Sequence, residues 1–247
     1  MEKRNIQQEI SQRVAFIREI LSDAKAEGIV FGNSGGKDSA LVGILCKMAC
    51  ENTLGVIMPC ESKRNYNQDK DDAEALARRF NIEIRIVDLT RTKEAVVEAV
   101  GHAAQLTSSA LTNIAPRLRM TTLYAIAASE NRIVAGTGNR SESYMGYFTK
   151  WGDGACDFNP IADLTVTEVY EFLRFLDTPC EIIDKAPSAG LFEGQTDEAE
   201  MGVSYESIDR YLSGLEIEEH ERQIIEGYHQ RSMHKRRMPP VYNVLMC

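Results

Sequence analysis

The chain has 247 residues, 37 acidic against 28 basic side chains and a formal net charge of -9. A chain of this length buries roughly 70 to 75% of the surface its unfolded form exposes, so no disulfide or metal staple is needed to fold it. The acidity argues against a nucleic-acid partner, which wants a basic footprint, and no apolar run approaches the ~20 residues of a membrane span.

In chain order, "MEKRNIQQEISQRVAFIREIL" reads as a charged amphipathic helix with no apolar leader, so a cytoplasmic location is expected. A strand is predicted at residues 28–33, a helix at about 38–51, a strand in "TLGVIMP" and a helix over "DKDDAEALARRF". A strand in "IEIRIVDL", helices to about residue 130 and a strand in "RIVAGTGN" follow. Beyond a Gly- and Asp-rich stretch at 151–161 come a helical "TVTEVYEFLRFL", a polar loop at 184–203, helices at about 204–214 and 218–232, and a basic end, "HKRRMPP". The six cysteines include no CxxC pair and read as reduced thiols. Alternating strands and helices imply one α/β domain over 1–247, a Rossmann-like parallel sheet with helices on both faces. Ligands of such sheets bind at the carboxyl ends of strands near a switch point, where "GNSGGKDS" (32–39) and "GTGNRSES" (136–143) are both expected.

The first of these loops is glycine-rich and opens a helix, an arrangement suited to phosphate because glycine admits close approach and a helix N-terminus presents unpaired N–H groups. It fits neither the dinucleotide GxGxxG nor the Walker pattern, since Phe31 and Asp38 hold positions the latter needs otherwise. Ser34 and Ser39 can donate to phosphate oxygens, while Gly35 and Gly36 open the backbone. Asp38 would repel phosphate unless a cation such as magnesium lay between them. Lys37, at the variable position, reads as a solvated side chain.

"SGGKDS" is similar to the SGGxDS loop of ATP pyrophosphatases. "TNIAPRLRMTTLYAIA", "GTGNRSESYMGYFTKWGDGACDFNP", "KAPSAGLFEGQTDEAEMGVSYESID" and "HKRRMPP" resemble, in order and spacing, the motifs of ammonia-dependent NAD synthetase. That resemblance implies an adenine nucleotide alpha hydrolase-like fold and a ligase that amidates nicotinic acid adenine dinucleotide (deamido-NAD) through an adenylated intermediate, giving NAD, AMP and pyrophosphate. It implies ATP contacts from Gly32, Asn33, Ser34, Gly35, Gly36, Lys37, Asp38, Ser39, Thr137 and Ser188, and Mg2+ held by Asp38 and Glu142. For deamido-NAD it implies Arg117, Lys150, Asp157, His234 and Lys235, joined by Asn113 and Tyr124, with the basic tail acting as a flap. A homodimer with its dinucleotide site at the interface is expected, without a glutaminase domain, so that free ammonia supplies the nitrogen.

Three positions depart from the commoner family pattern. Val166 stands where many members place an ATP-contacting lysine, with Lys37 or Lys185 as candidates to replace it. Pro116 stands for Ala, and Asn33 for an apolar residue. Two other readings stay open: a tRNA-modifying ATP pyrophosphatase, which would want a basic surface or an RNA-binding module, and a nucleotide-binding module without catalysis, which would not need both Asp38 and Glu142.

Overall fold

A computed structural model describes residues 4–60, 68–183 and 197–242. Helix α1 (Ile6–Asp23) leads into strand β1 (Gly28–Gly32), helix α2 (Lys37–Ala49), strand β2 (Thr53–Ile57), helix α3 (Gln68–Phe80) and strand β3 (Glu83–Ile86). Helices α4 (Thr90–Gly101) and α5 (Ser108–Ser129) precede strand β4 (Arg132–Ala135). Short helix α6 (Arg140–Met145), then α7 (Val166–Phe175), α8 (Cys180–Ile183), α9 (Asp197–Met201), α10 (Tyr205–Leu212), α11 (Glu219–Arg231) and a 3-10 turn at Met233–Lys235 complete the order.

The sheet is parallel throughout, in the order β3-β2-β1-β4. The chain leaves β1 outward to β2 and β3, then crosses back to place β4 on the other side of β1. The switch point therefore lies between β1 and β4, and the loops after both strands open at the same edge. Strand alternation divides the core. Ile29 and Phe31 pack with Leu41 and Leu45 of α2 and Phe172 of α7, while Val30 packs on the opposite face with Val56, Val134 and Leu123 of α5. Each such buried side chain contributes on the order of 1.5–3 kcal/mol. A third apolar cluster, Met145, Val166, Met201, Tyr205, Ile208 and Ile225, ties the C-terminal helices to α6 beside the switch point.

The strands fall where the alternating pattern puts them. The polar loop expected at 184–203 is corrected at its end, because α9 occupies Asp197–Met201, where Met201 is buried and Asp197 accepts a bond from Tyr205 Oη at 3.1 Å. Residues 184–196 lie outside the described residues, and Ser188 and Lys185 with them. Helix α6, not foreseen as a separate element, is set by its ends. Asn139 and Glu142 form a reciprocal capping box, and Gly146 closes the helix at φ +67°. Among the described residues no helix is long and apolar enough to cross a membrane, and Cys46, Cys50, Cys60, Cys156 and Cys180 are free thiols.

Candidate active site

The loop after β1 is braced from within. Asn33 is buried; its Nδ2 donates to Ala73 O of α3 at 3.2 Å and its Oδ1 accepts from Gly35 N at 3.4 Å, so its side chain braces the loop from within. Its N–H donates to Val56 O of β2 at 2.9 Å. Gly35 adopts φ +72°, a left-handed conformation that a side chain would strain. Ser39 Oγ donates to Gly36 O at 3.0 Å and lies 3.1 Å from Ser34 Oγ, which places two hydroxyls side by side at the start of α2. Helix α2 has no side-chain cap, so its first amides are left for a guest.

Asp38 in the first turn of α2 meets the loop after β4. Asn139, fully buried, donates from Nδ2 to Asp38 Oδ1 at 3.0 Å. The same residue accepts from Glu142 N at 2.9 Å and donates its own N–H to Glu142 Oε2 at 3.2 Å. One asparagine thus fixes both carboxylates. Burial, followed by the neighbouring Asp38 charge, pushes Glu142 up to about 8, with Lys37 partly offsetting them.

Lys37 is not a solvated side chain. It is 7% exposed, with Nζ 2.8 Å from Asp38 Oδ2 and 5.6 Å from the centre of the Tyr205 ring. Burial alone would lower its pKa, but the carboxylates of Asp38 and Glu142 more than offset that and hold it above the ordinary lysine value. The third apolar cluster closes over this point, which is why the variable position of the loop faces inward.

These groups line one open cleft of about 1380 Å³, larger than the ~300–1,000 Å³ of most small-molecule sites. Gly32, Asn33, Ser34, Gly36, Lys37, Asp38, Ser39, Thr137 and Glu142 all line it, as do Asn113 and Lys235. Lys235 Nζ donates to Gly146 O and Phe148 O, both at 2.7 Å. Burial lowers its pKa, and Asp153 opposes the shift. The 3-10 turn is thereby fastened to the cleft wall, and Arg236 strengthens the tie through Ser143 O and Tyr144 O.

The remaining expected substrate residues lie outside the cleft lining. Exposed Arg117 donates to Lys150 O at 3.4 Å, and Lys150 Nζ donates to the backbone oxygen of exposed His234 at 2.7 Å, a strip across the outer surface. Tyr124 Oη donates to Asp157 Oδ1 at 3.1 Å, and Asp157 Oδ2 accepts from Val134 N at 2.7 Å, so this pair braces β4. Burial, then the Asp157 charge, raises the Tyr124 pKa. Val166 is buried against Met145 and Met201, an apolar setting in which no lysine ammonium is presented. Arg236 and Arg237 of the basic end also line the cleft, and so do Arg119 and Arg231, which were not singled out from sequence. The cleft is lined by both signs, these cations with Lys37 and Lys235 against Asp38, Glu142, Asp153, Asp197 and Glu200, so it is less acidic than the chain as a whole.

The sequence profile of the NAD synthase family matches residues 9–239. The NH3-dependent NAD+ synthetase of Carboxydothermus hydrogenoformans is 47% identical over 240 residues, covering 96% of this chain and 98% of that one. The solved NMN synthetase of Francisella tularensis is 39% identical with a TM-score of 0.92, covering 98% of this chain and all of that one. An NH3-dependent NAD synthetase from Campylobacter jejuni, solved with nitrate, is 30% identical with a TM-score of 0.81 and the same coverage. A phosphate-type loop, two carboxylates joined through Asn139 at the sheet's switch point, and likeness along nearly the whole chain agree: the chain belongs to the NAD synthase family, a family of ATP-using ligases.

Proposed function

We propose that this protein is a cytoplasmic, ammonia-dependent NAD synthetase whose adenylation site is the cleft between the loops after β1 and β4. The observation that carries the reading is the meeting of Asp38 and Glu142 through Asn139 beside the glycine loop. Two carboxylates of hard oxygen donors suit Mg2+, whose remaining positions phosphate oxygens and water would fill. When bound, the ion would neutralise charge on the departing pyrophosphate.

The chain's own residues do the rest. Ser34, Ser39 and the uncapped first amides of α2 hold the phosphates of ATP, with Thr137 on the nucleotide from the facing loop. The nicotinate carboxylate, a poor acyl donor because oxide would have to leave, attacks the α-phosphorus and becomes a mixed anhydride with AMP as pyrophosphate departs. Ammonia then attacks the carbonyl carbon, loses a proton and expels AMP. Lys235 at the cleft wall, with Arg117, Lys150 and His234 on the outer strip, binds the anionic substrate, with the strip completing the site at the interface of a homodimer. Ser188, expected on the ATP, lies outside the described residues.

A second reading concerns substrate length. The likeness to an NMN synthetase, with a TM-score of 0.92, favours a site that also amidates nicotinic acid mononucleotide by the same chemistry. Incubating the purified chain with ATP, Mg2+, ammonium and either substrate, with mass spectrometry for AMP, pyrophosphate and the amidated product, tests both. Absence of product from either substrate rejects the assignment, and glutamine free of ammonia should not replace ammonium.

A further inference from the structure

Lys37 occupies a place that elementary physics makes unfavourable for a cation. It is the first residue of α2, facing the positive end of the helix dipole, and its ammonium is withdrawn from water. Neighbouring residues on a helix do not face each other, yet Lys37 folds back until Nζ is 2.8 Å from Asp38 Oδ2. The carboxylate of Asp38, paired with the ammonium at 2.8 Å, offsets these penalties. The roof over it is the buried ring of Tyr205, 5.6 Å from Nζ.

We infer that Lys37 is a built-in counter-ion, holding the place beside Asp38 that the divalent cation takes, and that metal entry displaces its ammonium onto the incoming phosphates. The inference rests on the reading of Asp38 and Glu142 as the magnesium pair. Two cations cannot share two carboxylates without mutual repulsion, so the ion and the ammonium exchange. The flexible four-carbon stem allows the exchange without movement of the backbone, and the phosphate cradle begins at Gly36, one residue away. The exchange keeps Asp38 compensated in the metal-free protein and makes metal binding depend on ATP, since only a phosphate gives the displaced ammonium a new partner.

The test is Mn2+ binding to the metal-free, full-length protein without nucleotide, read by electron paramagnetic resonance, with melting temperature in EDTA as a second readout. Lys37→Met should bind Mn2+ at least about tenfold more tightly than wild type, the scale of one close charge contact, and melt lower in EDTA. Unchanged or weaker Mn2+ binding by Lys37→Met, together with lost binding by Glu142→Gln, overturns the exchange while leaving the metal pair intact. Wild-type affinity in Glu142→Gln shows instead that the metal pair is misassigned, and overturns both. Should Lys37→Met show no cooperative melt, the paired Lys37→Met/Asp38→Asn variant, which removes one charge of each sign, should regain it; failure to do so also overturns the proposal.

Discussion

Asn139 Nδ2 donates to Asp38 Oδ1 at 3.0 Å across 101 positions of sequence, while the same side chain caps α6 at Glu142 N. A single buried amide therefore sets the spacing of the two carboxylates. Asn139→Ala removes the cap, at about 1 kcal/mol, and frees both acids to move apart. Adenylation should fall by about 10- to 100-fold, the usual scale for a group that orients metal ligands. Single-turnover formation of AMP, with melting temperature alongside, checks this. A loss of stability with wild-type turnover would show that Asn139 only caps the helix.

Glu142 should give the metal-free protein a pH signature. Folded, it keeps its proton up to about 8, whereas the unfolded chain releases it near 4.5. Between those values the folded state binds more protons, so stability falls as pH rises through the window. Glu142→Gln cannot ionise. In EDTA its melting curve should be flatter with pH and end above wild type near pH 8, by on the order of 1 kcal/mol or more. Magnesium bound at Glu142 would select the ionised form, so it should stabilise wild type more at pH 8 than at pH 6. Turnover of Glu142→Gln should fall about 10²- to 10³-fold. Parallel melting profiles of the two proteins in EDTA would remove Glu142 from this role.

The strands, the switch point and the glycine loop were legible because each rests on local pattern: apolar runs of strand length, helical spacing, and a turn that only glycine serves. Helix α6 was written there as well, in Asn139-x-x-Glu142 and the following Gly146, but it is short and lies inside a motif read for its chemistry. The inward turn of Lys37 was not legible. It depends on Tyr205 and Glu142, residues brought over α2 by the packing of α6 and α10, and no spacing near residue 37 records that. The same holds for Arg231, whose place at the cleft follows from the docking of α11 against α6.

Gly146 controls the attachment of the C-terminal turn. Its φ is +67°, and a Cβ there would lie 2.1 Å from Ser232 Cβ. Gly146→Ala combines left-handed strain of about 1–3 kcal/mol with a clash that pushes Ser232, and with it Lys235, off the cleft wall. The variant should melt several degrees lower and show a raised KM for the nicotinate substrate. Adding Ser232→Gly removes the clash but not the backbone strain, so it should restore part of the lost stability. No rescue at all would mean that the backbone conformation alone sets the penalty.

Arg117 should separate the two candidate substrates. It lies outside the cleft on the strip with Lys150 and His234, linked through Lys150 O at 3.4 Å and His234 O at 2.7 Å. The cleft already contains the glycine loop, the carboxylate pair and Lys235, which suffices for ATP and a nicotinate nucleotide, so the strip is placed for whatever extends beyond them. In a dinucleotide that extension is the second phosphate and the adenosine; a mononucleotide has none. A hydrogen bond from a guanidinium to phosphate contributes about 1.5–3 kcal/mol, so Arg117→Ala should lower kcat/KM for deamido-NAD by about 10- to 100-fold. For nicotinic acid mononucleotide the change should stay within about twofold, because no contact is lost. Equal losses on both substrates would move Arg117 to the nicotinate end, and no loss on either would leave the strip a structural tie between α5 and the C-terminal turn.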